Sequence, residues 1–149
     1  MIDLVNLIHG VLDLFAADPA IAALNPNYVY GPLYKSTVQT SSLALGVGLH
    51  REPEEGSFYR TVGGNSRQQV FYIWTWAKGN SQELADTAML NLLEAVKIYL
   101  RDPDNHTLGG KMLDIAIGET DHNPGELQPG IYCSTAVFSL TATFGAALL

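Results

Sequence analysis

The segment RQQVFYIWTWA, residues 67–77, constrains the fold most. Its large side chains alternate at the period of a strand: Val70, Tyr72, Trp74 and Trp76 on one face, Phe71 and Ile73 on the other. Apolar character on both faces demands a central strand, or one face covered by another subunit. Asn80 then stands at the N-cap of a helix, with Glu83 in the capping-box position. That helix runs to about Arg101: Leu84, Ala88, Ala95 and Tyr99, with Met89, Leu92, Val96 and Leu100, make a wide apolar band. Lys97 and Arg101 suit its negative end, and Pro103 stops it.

Upstream, Leu4, Leu7, Ile8, Val11, Leu12 and Phe15 recur at i, i+3, i+4, i+7, i+8 and i+11, the stripe of an amphipathic helix. Asp18-Pro19 begins a second, short helix to Leu24, which Asn25-Pro26-Asn27 ends. Tyr28-Val29-Tyr30 is a short strand candidate. In 43–49 the large residues Leu43, Leu45, Val47 and Leu49 alternate with Ala44, Gly46 and Gly48, small enough to admit a neighbour closely. His50–Ser66 reads as a loop of about 17 residues, long enough to be functional.

Asp102–Gly110 is a turn and Met112–Gly118 a strand, with Glu119–Gly130 as a loop or wide hairpin connection. Ile131–Phe144 is the closing strand. Tyr132, Ala136, Phe138, Leu140, Ala142 and Phe144 share its apolar face. Strands following a helix and ending in a hairpin predict an α+β fold: a mainly antiparallel mixed sheet with two principal helices on one face. The length of 149 residues fits a single domain, 1–149.

Eight Lys and Arg against fifteen Asp and Glu give a net charge of −7. No base precedes Lys35, and the bases are scattered singly, so no basic patch tracks a phosphate backbone. DNA would pass such a surface without sticking. The N-terminus lacks a cationic region of the secretory type. The runs 43–49 and 142–149 fall far short of the ~20 residues of a spanning helix, which predicts a soluble protein with no membrane partner. Cys133 stands alone, which excludes an intramolecular disulfide and a multi-cysteine metal site and makes a reducing compartment the easier reading.

Candidate chemistry is sparse. Asp102, Asp104 and His106 begin like a calcium loop, but Thr107 and Leu113 occupy the positions that need Gly and Glu. Glu119, Asp121 and His122 are placed as solvated loop residues rather than ligands or an acid–base pair. Gly46-Val47-Gly48 fails as a dinucleotide fingerprint because Arg51 holds the third glycine position. Cys133, inside an alternating strand, reads as a small packed residue. Tyr72, Trp74 and Trp76 read as core or interface aromatics. Phe58 and Tyr59, set among charges in the long loop, are suited to anchoring across an interface. Glu52, Glu54 and Glu55 read as a solvated loop, with pore lining or docking of a basic partner as the minority alternative. No catalytic residue, cofactor or metal is expected.

Taken in order, the amphipathic helix DLVNLIHGVLDLF, the strand region with its long loop, the strand VFYIWTW, the helix SQELADTAMLNLLEAVKIYL, the turn DPDNHTLGG and the two closing strands resemble the tail terminator (tail completion) proteins of long-tailed bacteriophages. The resemblance spans nearly the whole chain. It implies a non-enzymatic homohexameric ring at the head-proximal end of the tail tube, which ends tube polymerisation. Its partners would be further copies of the chain, the tail tube protein and the head-completion (neck) protein, with DNA passing through the ring unbound. Its place would be the tail or neck of the virion, after assembly in the host cytoplasm. Interface residues expected on this reading are Glu52, Glu54, Glu55, Phe58, Tyr59, Tyr72, Trp74 and Trp76. The Ser/Thr-rich stretch 36–42 and the apolar end Gly-Ala-Ala-Leu-Leu do not map onto the family. The rival readings are another neck or tail-tube component, or a small α+β ligand-binding module or enzyme using Glu119, Asp121, His122 or Cys133.

Overall fold

A computed structural model describes residues 3–32, 42–51, 58–61 and 64–145. Helix α1 spans Leu4–Ala17, α2 Pro19–Leu24 and α3 Gln82–Arg101; strands are β1 Asn27–Tyr30, β2 Leu43–Arg51, β3 Phe58–Thr61, β4 Gly64–Gly79, β5 Asp114–Gln128 and β6 Ile131–Gly145. Among the described residues no helix is long and apolar enough to cross a membrane.

Capping chemistry sets the helix boundaries. Asp3 accepts a bond from the Asn6 amide at 3.2 Å and so satisfies an orphan donor of α1. Asp18 leaves the helical region at ψ 125° and caps α2 through the Ile21 amide at 3.1 Å, with Pro19 in the first turn. Asn25, at φ 52°, closes α2 in the left-handed conformation that asparagine tolerates. The cap of α3 is not Asn80: Ser81 Oγ accepts from the Leu84 amide at 3.2 Å. Two adjacent residues carry capping chemistry, and Ser81, with extended backbone (φ −141°, ψ 158°), takes the position. Ser81→Ala is therefore expected to lower stability by about 1 kcal/mol, and Asn80→Ala by less than about 0.5 kcal/mol. Urea midpoints of the two variants decide it, and equal losses would refute the assignment.

The sheet order is β1-β2-β4-β6-β5, with β1 parallel to β2 and every other pair antiparallel. β4 is thus central, as its two apolar faces require. β3 pairs with the start of β4, Phe58 opposite Arg67 and Thr61 opposite Gly64, so β2 and β3 run in line along one edge of β4. Within the expected loop 50–66, the described residues 50–51, 58–61 and 64–66 are therefore strand.

A second correction concerns 119–130. β5 continues through Gln128, paired to β6 down to Gln128–Ile131, with an irregularity between Ile117 and Thr120. This half of β5 is an edge strand exposed on most positions, so it carries no apolar alternation to announce it.

The helices cover one face of the sheet. Leu7, Ile8, Val11, Leu12 and Phe15 of α1, Ile21 of α2, and Met89, Leu92, Val96 and Leu100 of α3 pack on Leu45, Val47, Phe71, Ile73, Phe138 and Leu140. Leu84 departs from the expected band and is exposed. Thr75, buried in this layer opposite Leu45 and Ala136, has no partner for its Oγ1 among the described residues.

Candidate interface surfaces

The opposite face of the sheet has its own small core. Trp74 and Trp76 are only 1% and 3% exposed; they cluster with Ala44, and Val29, Leu127, Cys133 and Val137 pack against them. Gly46 stands opposite Trp74 in register, and the indole lies across it: a β-carbon at Gly46 would come within 2.0 Å of the ring. The indole N–H donates to the Gly31 carbonyl at 2.9 Å, which ties the strand to the turn after β1. Trp74 and Trp76 thus spend their surface on their own chain. Tyr72, next along this face, is half-buried and stacks on His50 with ring centroids 3.9 Å apart. β3 carries Phe58 and Tyr59, opposite Arg67 and Ser66, at the far end of the same strand line. Glu52, Glu54 and Glu55 lie outside the described residues.

Alternation along β5 separates the other candidates. Asp121 pairs with Val137, on the Trp74 side, whereas His122 pairs with Ala136, on the helix side. Glu119 falls in the irregularity between Ile117 and Thr120. Among the described residues no three His, Cys, Asp or Glu side chains gather as metal ligands. Cys133 is half-buried, and its carbonyl accepts from Gln82 Nε2 at 3.0 Å. Asp102 caps the 3-10 turn Pro103–Asn105 through the Asp104 amide, so the calcium-like pattern is a turn.

Two clefts between α3 and β5 escaped the sequence reading. The first, of about 380 Å³, is lined by Asp86, Met89, Leu90, His122, Pro124 and Ser134. Gln82 Nε2 donates to Asp86 Oδ1 at 2.9 Å. That bond, a second from Ser134, and the field of His122 hold the Asp86 carboxyl below its usual range. The i, i+4 spacing of Gln82 and Asp86 is legible in sequence; the approach of Ser134 and His122 is not. The second cleft, of about 400 Å³, has Leu100, Ile115 and Ile117 with Lys97, Arg101 and His106 around them. Lys97 Nζ donates to Thr120 Oγ1 at 2.6 Å and lies 5.6 Å from the Phe138 ring centroid. Burial, then the neighbouring Arg101, push its ammonium below the usual lysine value. His106 Nδ1 sits 3.5 Å from Asp114.

No protein-family model matches this sequence, and no curated protein does. Among solved structures, a chain in the virion of a native gene transfer agent particle shares the fold, with a TM-score of 0.52 at 14% identity. The match covers 92% of this chain and 94% of that one.

Proposed function

We propose that this chain is a structural protein of a virion and, within that class, a tail terminator. It forms a ring, of six copies by the sequence resemblance, at the head-proximal end of the tail tube, stops tube growth and joins the tail to the neck. The observation that carries the reading is the fold shared, over nearly the full length of both chains, with a chain of a gene transfer agent virion. The ordered resemblance of helix, two-faced strand, long helix and closing strands to tail terminators supports the finer assignment.

In this reading the chain performs no catalysis and takes no cofactor. Its partners are copies of itself, the tube protein and the head-completion protein. The net charge of −7 keeps DNA moving through the ring, because a surface with a surplus of carboxylates repels phosphates rather than holding them. Assembly takes place in the host cytoplasm and no membrane is involved.

Removing the protein from an assembling phage is expected to give tails of uncontrolled length that fail to join heads, seen by electron microscopy. Tails of normal length joined to heads would overturn the assignment. Long cylinders formed by the pure protein would replace it with a tube component.

A further inference from the structure

Residues 120–126 of β5 can be laid against β6 in two ways. In the structure Ile117 pairs with Leu140 and Thr120 with Phe138, so Gly118 and Glu119 together oppose Ser139, the one extra residue of a β-bulge. Glu126 pairs with Tyr132 and Gln128 with Ile131, which leaves Leu127 as a second extra residue before the Pro129-Gly130 turn. Moving the first extra residue down to the second site slides 120–126 by one position. The pairing of 114–117 and the turn stay in place.

The bulge changes which residues face the helices. Before it, Ile115 and Ile117 line a cleft beside α3. After it, the helix side carries Thr120, bonded by Lys97, and His122 and Pro124, which share a cleft with Asp86. Asp121 is opposite Val137, on the Trp74 side. Without the bulge the odd residues would stay on the helix side throughout. Glu119 would then take the place of Thr120 opposite Phe138, and Asp121 that of His122 opposite Ala136, beside Asp86. Packing does little to choose between the registers, because 121–124 and 126 are exposed whichever way they point. Gly118, which would stand opposite Ser139, has no side chain to obstruct the slip.

Charge does choose, and it pulls both ways. The slip gives Lys97 a carboxylate partner, in a pair that water screens. It also sets Asp121 against Asp86. Gln82 Nε2 donates both to Asp86 at 2.9 Å and to the Cys133 carbonyl at 3.0 Å, which fixes the Asp86 carboxylate over β6. That bond, a second from Ser134, and the field of His122 hold its carboxyl below the usual range, so it is ionised. No Lys or Arg occurs in 79–96 or 112–149 to offset a second carboxylate there.

We infer that Asp86 selects the register of β5: its charge keeps His122 beside it and excludes Asp121, and reversing that charge slides residues 120–126 by one position. The edge strand thus stores two surfaces. One presents Thr120, His122 and Pro124 beside α3, the other Glu119, Asp121 and Asn123. The register belongs to the single chain and does not depend on the tail assignment.

The test is NMR of isotope-labelled, perdeuterated full-length protein, reading backbone contacts between β5 and β6. Wild type is expected to show Asp121 against Val137 and Asn123 against Thr135. Asp86→Lys attracts Asp121, and is expected to raise the share of slipped contacts, Thr120 with Val137 and His122 with Thr135, relative to the native ones by about tenfold or more. Adding Asp121→Asn to that variant should restore the native set. Asp86→Asn keeps the shape of the side chain and is expected to shift the ratio the same way by less, which serves if Asp86→Lys does not fold. Native contacts unchanged in both Asp86 variants overturn the inference. So do contacts of 120–126 that vanish without a slipped set, which is fraying, and a slip that persists in the double variant.

Discussion

Adding one methyl group at Gly46 is expected to lower the free energy of unfolding by roughly 1.5–4.5 kcal/mol, the sum of an overpacking term of about 1–3 and a lost hydrogen bond of about 0.5–1.5. The new β-carbon would stand 2.0 Å from Trp74 Cε2, with nowhere to relax inside a paired strand, so the indole has to turn. Turning it breaks the bond from the indole N–H to the Gly31 carbonyl and opens the cluster around Ala44 and Trp76. Trp74→Ala, which removes the ring altogether, is expected to lose about 3–5 kcal/mol.

The decisive measurement is the double variant. Once the indole is gone, alanine at position 46 meets no ring and costs less chain entropy than glycine does, so Gly46→Ala should become neutral or stabilising by up to about 1 kcal/mol. A coupling energy of that size between directly paired residues is what a double-mutant cycle isolates. Urea unfolding of the four proteins reads it. If Gly46→Ala costs the same in both backgrounds, the glycine is required by something other than Trp74.

Where the sequence was legible, the reason is periodicity enforced by burial. The α1 stripe from Leu7 to Phe15, the alternation from Val70 to Trp76 and the even-numbered face of β6 each pack into a core, and each was readable without the structure. The failures share an opposite cause. β3, and the second half of β5, are strands because β4 and β6 present unpaired backbone beside them, not because their own side chains alternate. Backbone pairing leaves little mark on residue type along a strand exposed at most positions, as the second half of β5 is.

The candidate interface divides in the same way. The sequence put Tyr72, Trp74 and Trp76 on one face, but it could not say what lies over that face. The Gly31 carbonyl and the approach of Leu127 are long-range facts, and they make Trp74 and Trp76 core residues of this chain. The cleft beside α3 was partly visible: Lys97 and Arg101, one turn apart on the helix, are a property of the sequence. What could not be read is that Ile115 and Ile117 of β5 line one cleft with those two cations.

Phe15→Ala carries the other large effect, a loss of about 3–5 kcal/mol, and its unfolding profile tells whether α1 belongs to the same cooperative unit as the sheet. Phe15 is fully buried, and its ring meets Tyr99 of α3 edge-to-face, centroids 5.6 Å apart at 84°. Such a pair is worth about 0.5–1.5 kcal/mol beyond the area it buries. Burial, and then the charge of Asp18, raise the Tyr99 phenol above its usual value. Phe15→Leu retains most of the volume and is expected to lose less than half as much. Phe15 belongs to the same buried cluster as Ile73 and Phe138 of the central strands. Helix content by circular dichroism and Trp74 and Trp76 fluorescence should therefore fall together in urea, at a midpoint lowered in the variant. Helix signal lost before tryptophan signal would mean that α1 opens as a separate unit.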